Sequence, residues 1–157
     1  LKTFFGKLGK VCPGYASLSS EELYDKVILA SIVEREYRRA EEAPLIASVF
    51  TNRLKIGMSL ASCATIEYII TEIQGKKHPE YITYADLEIK SPYNTYRNKG
   101  LPPGPISNPG IIALEAAVKP AESDYLFFLL KDRETGEHFF SKRFSDHSNA
   151  KILYLKK

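Results

Sequence analysis

The sequence predicts an α+β fold: several helices first, one β-hairpin late, and a long ordered loop between them. Three observations carry this. Apolar residues recur at helical spacing from Leu23 to Leu54. A continuous apolar run of strand length, Tyr125 to Leu130, precedes a turn containing Gly136. Between these regions, residues 91 to 110 hold five prolines and three glycines, a composition that orders a chain without regular structure.

At 157 residues, 44% hydrophobic and 26% charged, the chain suits one domain over 1–157, with 1–18 as a breaker-rich lead-in. The first helix has a start signal in Ser19 and Glu22, a Ser-x-x-Glu box, and runs from about Ser20 to between Tyr37 and Ala40. Pro44 opens a second helix that Gly57 ends, making an αα-hairpin. A small-residue loop, Met58 to Thr65, leads to a third helix from Ile66 to Ile73, stopped by Gly75. Thr83 and Asp86 suggest a short capped helix, Tyr84 to Ile89. After the Pro/Gly-rich loop, Asn108 as cap and Pro109 in the first turn open a helix that ends before Pro120. The hairpin follows, and a last helix runs from Ser145 toward Leu155.

Composition narrows the chemistry. A net charge of +3, spread along the chain, gives a mild preference for anionic partners and no nucleic-acid signature. Ten Tyr, eight Phe and no Trp suit sugar or peptide contacts and equally suit a core. Cys12, Cys63 and three scattered histidines lie in no metal-ligand spacing, so neither metal nor cofactor is expected. The sequence leaves a Cys12–Cys63 disulfide open. No stretch reaches transmembrane length, and an opening Leu1-Lys2-Thr3 without Met suggests a piece of a longer protein.

The first helix runs directly into two carboxylates, Glu34 and Glu36. Glu34 continues the stripe of Leu23, Val27 and Ala30, while Glu36 lies on the side of Leu29, Ile32 and Val33, which is apolar too. Periodicity therefore does not choose between them. Either acid, set among apolar groups, has its charged form disfavoured and can hold the proton a general acid needs. The bland alternative is an ion pair with Arg35, Arg38 or Arg39. Cys63, in its small polar loop, invites a nucleophile reading with His138 or His147, but no neighbouring base supports it and a semi-buried structural thiol is the better expectation.

Five separated blocks resemble the MltG-type, YceG-like endolytic murein transglycosylases. They are Leu29 to Glu36, Val49 to Leu54, Gly57-Met58, Ser91-Pro92-Tyr93-Asn94-Thr95-Tyr96 and Gly100 to Ile106; Asn108-Pro109-Gly110, the helix end Ala116 to Pro120 and the later Tyr125 to Phe128 strand are also similar. The resemblance runs from about Leu23 to Asn149. It implies a lyase that cleaves peptidoglycan glycan strands between N-acetylmuramic acid and N-acetylglucosamine, leaving 1,6-anhydromuramoyl ends. It also implies that the first Glu of the Val-Glu-basic-Glu block, Glu34, is the catalytic acid. Substrate positioning then falls to Tyr93, Asn94, Thr95 and Tyr96, with Ser62, Thr65 and Glu36 as further candidates.

The same resemblance implies a catalytic domain on the outer face of the cytoplasmic membrane, anchored by one upstream helix, with peptidoglycan synthases and division or elongation proteins as partners. Many such proteins carry Asp-Pro where this chain has Cys63-Ala64. The rival expectation is a non-catalytic peptidoglycan-binding scaffold module that keeps the fold and the Tyr-rich loop.

Overall fold

The computed structural model describes residue 6, residues 8–10, residue 13 and residues 17–155. Most of the lead-in segment, and Cys12 with it, lies outside the described residues. The architecture is α+β, as the pattern predicts. Helix α1 spans Ser20–Glu36, α2 Ala43–Lys55, α3 Cys63–Tyr68, α4 Ile111–Val118 and α5 Phe144–Tyr154. Strands β1, Phe127–Leu130, and β2, His138–Ser141, pair antiparallel with Phe128 opposite Phe140.

Helix α1 is the central element. Its capping box is formed as expected: the Glu22 N–H donates to Ser19 Oγ at 3.1 Å, and the Ser19 N–H to Glu22 Oε2 at 2.8 Å. Six consecutive residues, Ile28 to Val33, are buried, so this stretch of the helix is enclosed on all sides. It packs on α2 and α4; Ile32, Val33, Ile46, Ala47, Ala113 and Leu114 are at most 1% exposed. A smaller cluster, Ile66, Ile69 and Ile70, seats the segment around Ile82, Leu87 and Ile89.

The expected boundaries shift at several places for local reasons. The third helix begins at Cys63, because the small residues 63–65 are helical, and it widens into a π turn at Ile69–Ile73 before Gly75. The short helix before the loop is a single 3-10 turn, Asp86–Glu88. Helix α4 starts at Ile111, with Gly110 at its N-cap and no side-chain cap from Asn108. An acceptor arrives from elsewhere in the chain: Glu34 Oε2 takes the Gly110 N–H at 2.9 Å.

The Pro/Gly-rich loop is fixed at both ends. The Asn94 amide donates to the Leu87 and Ile89 carbonyls at 2.9 and 2.8 Å, and its oxygen accepts the Tyr96 N–H at 2.9 Å. Further on, Ser31 Oγ accepts the Ile106 N–H at 3.0 Å, and Ser107 Oγ donates to the Ser31 carbonyl at 2.8 Å. The loop is thus clamped onto the middle of α1. Gly104 passes under two phenols: a Cβ there would lie 2.9 Å from Tyr93 Oη and 3.0 Å from Tyr24 Oη.

Candidate active site

The last turn of α1 separates its two acids. Residues two apart on a helix diverge by about 200°, so Glu34 and Glu36 point to opposite sides. Glu34 turns toward the start of α4 and satisfies a backbone N–H there, a place where negative charge is favoured. Glu36 turns toward the start of α3 and into a cleft of about 560 Å³.

Around Glu36 the side chains form an ordered relay. The Ser62 hydroxyl donates a short hydrogen bond to Glu36 Oε1. Ser62 is itself held by a closed ring. Its N–H donates to Thr95 Oγ1 at 3.1 Å, the Thr95 hydroxyl lies 2.9 Å from Thr65 Oγ1, and the Thr65 hydroxyl donates to the Ser62 carbonyl at 2.7 Å. Each hydroxyl has one proton, so Thr95 is the donor to Thr65. The Ala61 N–H adds a bond to the Thr95 carbonyl at 3.0 Å. The loop 91–110 thereby fixes the side chain that grips the carboxylate.

Burial pushes the Glu36 carboxyl above its ordinary range. The Ser62 hydrogen bond and the charges of Arg53 and Arg35 pull the other way, and Glu67 adds to the rise. Arg53 is buried in the cleft wall. Its Nε donates to the Leu126 carbonyl at 2.6 Å, its Nη1 to the Leu60 carbonyl at 2.5 Å, and its guanidinium lies 5.3 Å from the Phe127 ring centre. It ties β1 to the loop after α2 while facing Glu36. Glu67 accepts from Arg35 Nη2 at 3.1 Å, with His78 Nε2 at 3.4 Å. Among the described residues, Glu36 is the sole carboxylate lining the cleft.

The expected site residues divide cleanly. Glu36, Ser62 and Tyr96 line the cleft. Thr65, Asn94 and Thr95 are at most 1% exposed and stand behind it, so they shape the loop and offer no free group to a ligand. Tyr93 packs its ring 5.0 Å from that of Tyr68, away from the cleft. Glu34 is not among the cleft-lining residues.

Cys63 is an exposed free thiol 3.0 Å from Tyr96 Oη. Partial desolvation of its sulfur in the cleft raises the thiol's proton affinity, and Tyr96 is raised by the same cause. A thiol held protonated is a poor nucleophile. His138 is engaged elsewhere, its Nδ1 2.7 Å from Glu42 Oε2, and burial takes His147 down to about 4. The cysteine-hydrolase arrangement is therefore not assembled. No group of metal-ligating side chains occurs among the described residues.

Arg53 and the wall formed by Phe127, Phe144, His147 and Lys151 were not singled out as site residues from the sequence. A signal existed for Arg53: it shares a helical stripe with Ile46 and Phe50, where a charge must find buried partners. The wall depends on how the hairpin and α5 fold back, and no local pattern announces it.

Residues 3–152 match the YceG-like family. The chain is 45% identical over 127 residues to an endolytic murein transglycosylase of Bacillus subtilis (strain 168), which covers 81% of this chain and 33% of that protein. Over 137 residues it is 34% identical to an endolytic murein transglycosylase of Streptococcus pneumoniae serotype 2, covering 86% of this chain and 25% of that protein. The chain thus spans a third or less of these relatives' length. The crystal structure of a YceG-like protein from Listeria monocytogenes aligns with a TM-score of 0.75 and 40% identity, over 94% of this chain and 44% of that one. With nearly all of its residues matched in sequence and its fold shared, the chain belongs to the YceG-like family.

Proposed function

We propose that this domain is an endolytic peptidoglycan lytic transglycosylase that breaks the bond between N-acetylmuramic acid and N-acetylglucosamine with Glu36 as its single acid and base. The carrying observation is that Glu36 is a half-buried carboxylate with a raised proton affinity, the sole carboxylate among the described residues lining a cleft of about 560 Å³, in a chain whose relatives bear that name. The resemblance pointed to Glu34. The geometry favours Glu36, because Glu34 is committed to the Gly110 N–H outside the cleft.

One acid suffices for this reaction. A glycosidase that uses water or a covalent intermediate needs a second carboxylate. Here the muramoyl residue's own 6-hydroxyl replaces it. Protonated Glu36 donates to the leaving glycosidic oxygen, and the bond from that oxygen to the anomeric carbon breaks. The 6-oxygen then attacks the anomeric carbon, and its proton passes to the Glu36 carboxylate. The proton count closes, and the product carries a 1,6-anhydro ring. Ser62 holds the carboxylate in place, and Arg53 stabilises its ionised form. We place the activity outside the cytoplasmic membrane, where peptidoglycan lies, in association with wall-synthesis and division proteins. No helix of the described residues is long and apolar enough to cross a membrane.

Mass spectrometry of fragments released from un-crosslinked glycan strands tests the reading. Wild type should produce anhydromuramoyl ends, Glu36→Gln none, and Glu34→Gln a yield close to wild type. Reducing ends would mean hydrolysis, and loss of product in Glu34→Gln with retention in Glu36→Gln would return the acid to Glu34. Equal glycan binding by all three proteins without fragments would leave a scaffold module.

A further inference from the structure

The cleft is more cationic than the proposed acid chemistry requires. Arg35, Arg38, Arg53 and Lys151 line it against one carboxylate. Arg35 is paired with Glu67 at 3.1 Å, and Arg53 is engaged by the Leu60 and Leu126 carbonyls. Arg38 and Lys151 are exposed and have no ion-pair partner among the described residues.

Three rings make the wall from which Lys151 projects. The Phe127 centroid lies 5.7 Å from that of Phe144 and 5.3 Å from that of His147, and Phe144 is 65% exposed although it is a large apolar ring. Lys151 follows His147 by one helical turn on α5 and is close enough to influence both His147 and Cys63, which places its charge over the cleft. An exposed ring, Phe144, beside unpaired cations suits a ligand that is part sugar and part anion.

The geometry points to a subsite at this wall for a carboxylate-bearing muramoyl residue. The exposed ring of Phe144 receives the sugar, beside a Phe127 ring already backed by His147 and Arg53, and the cations Lys151 and Arg38 of the same cleft receive a carboxylate of its 3-O substituent. That carboxylate has two sources with the same chemistry: the peptide stem, or the lactyl group itself once the stem is removed. The inference rests on the proposed function for the identity of the sugar, and it concerns recognition, not the bond-breaking step.

Binding to the Glu36→Gln form of this chain separates recognition from turnover. Three ligands are compared at low and high salt: glycan strands with stems, strands stripped by an amidase so that only lactyl carboxylates remain, and neutral chito-oligosaccharides of equal length. We expect stem-bearing strands to bind at least about fivefold tighter than the neutral ligand, with the ratio shrinking as salt screens the exposed cations. Adding Lys151→Gln and Arg38→Gln should narrow that ratio by about threefold or more. Stripped strands that bind tighter than stem-bearing ones assign the lactyl carboxylate that stem removal frees, equal binding of the two means that either carboxylate fills the site, and stripped strands that bind like the neutral ligand assign the stem. Equal affinity for all three ligands, or a ratio unmoved by both substitutions in proteins with wild-type circular dichroism, overturns the subsite. Neither result touches the proposed reaction, which fails only if wild type releases no anhydromuramoyl ends.

Discussion

Glu34 and Glu36 sit two residues apart at the end of one helix, yet one carboxylate fastens the start of α4 through the Gly110 N–H and the other faces an open cleft from beneath the Ser62 hydroxyl. The two acids therefore fail differently. Glu34→Gln keeps an acceptor for Gly110 and should hold activity within a few-fold of wild type. Glu34→Ala leaves that N–H without its partner and should lower stability by about 1 kcal/mol. Glu36→Gln cannot donate a proton and should reduce cleavage by about 10²-fold or more. Product quantification and chemical denaturation of the three variants separate the roles.

The raised proton affinity of Glu36 makes a pH-dependent stability claim with a definite sign. The folded state binds the proton more tightly than the unfolded chain, whose carboxyl titrates near its ordinary value of 4.5. The contribution from the protonated group is complete below that value and is lost as pH rises through the higher, folded value. Glu36→Gln never ionises, so it should match wild type in stability at acid pH and exceed it increasingly as pH rises from about 4.5. Cleavage by wild type should fall over the same upper range, as the acid loses its proton. Thermal melts of both proteins from pH 4 to 8 check the first statement, and an initial-rate profile checks the second.

How much of this was legible in the sequence follows from how local each cause is. The capping box, Pro44 and Gly57 act within a turn or two of the chain, and the helices they bound lie where expected. The start of α4 differs from the expected one because its acceptor, Glu34, is 76 residues away, whereas Asn108 and Pro109 form a local signal that tertiary contact overrides. The choice between the two acids has the same cause. Both sides of α1 are buried, so periodicity carried no information, and only the folded positions of Gly110 and Ser62 distinguish them.

Asn94, expected to position substrate, has a structural task in the fold. It is fully buried, and its amide satisfies two carbonyls of the preceding segment. Asn94→Ala should destabilise the domain by roughly 1–3 kcal/mol, since the Leu87 and Ile89 carbonyls lose their donor. Because Thr95 and Tyr96 hang from the same turn, the loss should appear as a lower denaturation midpoint and faster hydrogen exchange at Ser62. A large fall in glycan affinity with unchanged stability would contradict this placement.

Cys63 offers the sharpest separation of chemistry from obstruction. Its thiol lines the cleft beside Tyr96 with its proton affinity raised by desolvation, so it should react slowly and cleavage should not depend on it. Cys63→Ala should keep cleavage within about twofold, because the relay from Glu36 through Ser62 to Thr95 does not pass through the sulfur. Alkylation of wild type with a bulky maleimide should nevertheless inhibit, since the adduct occupies the cleft next to Glu36. Cys63→Ala should be immune to the reagent. Inhibition of both proteins would implicate another nucleophile, and a Cys63→Ala variant without activity but with wild-type circular dichroism would revive the thiol as a participant.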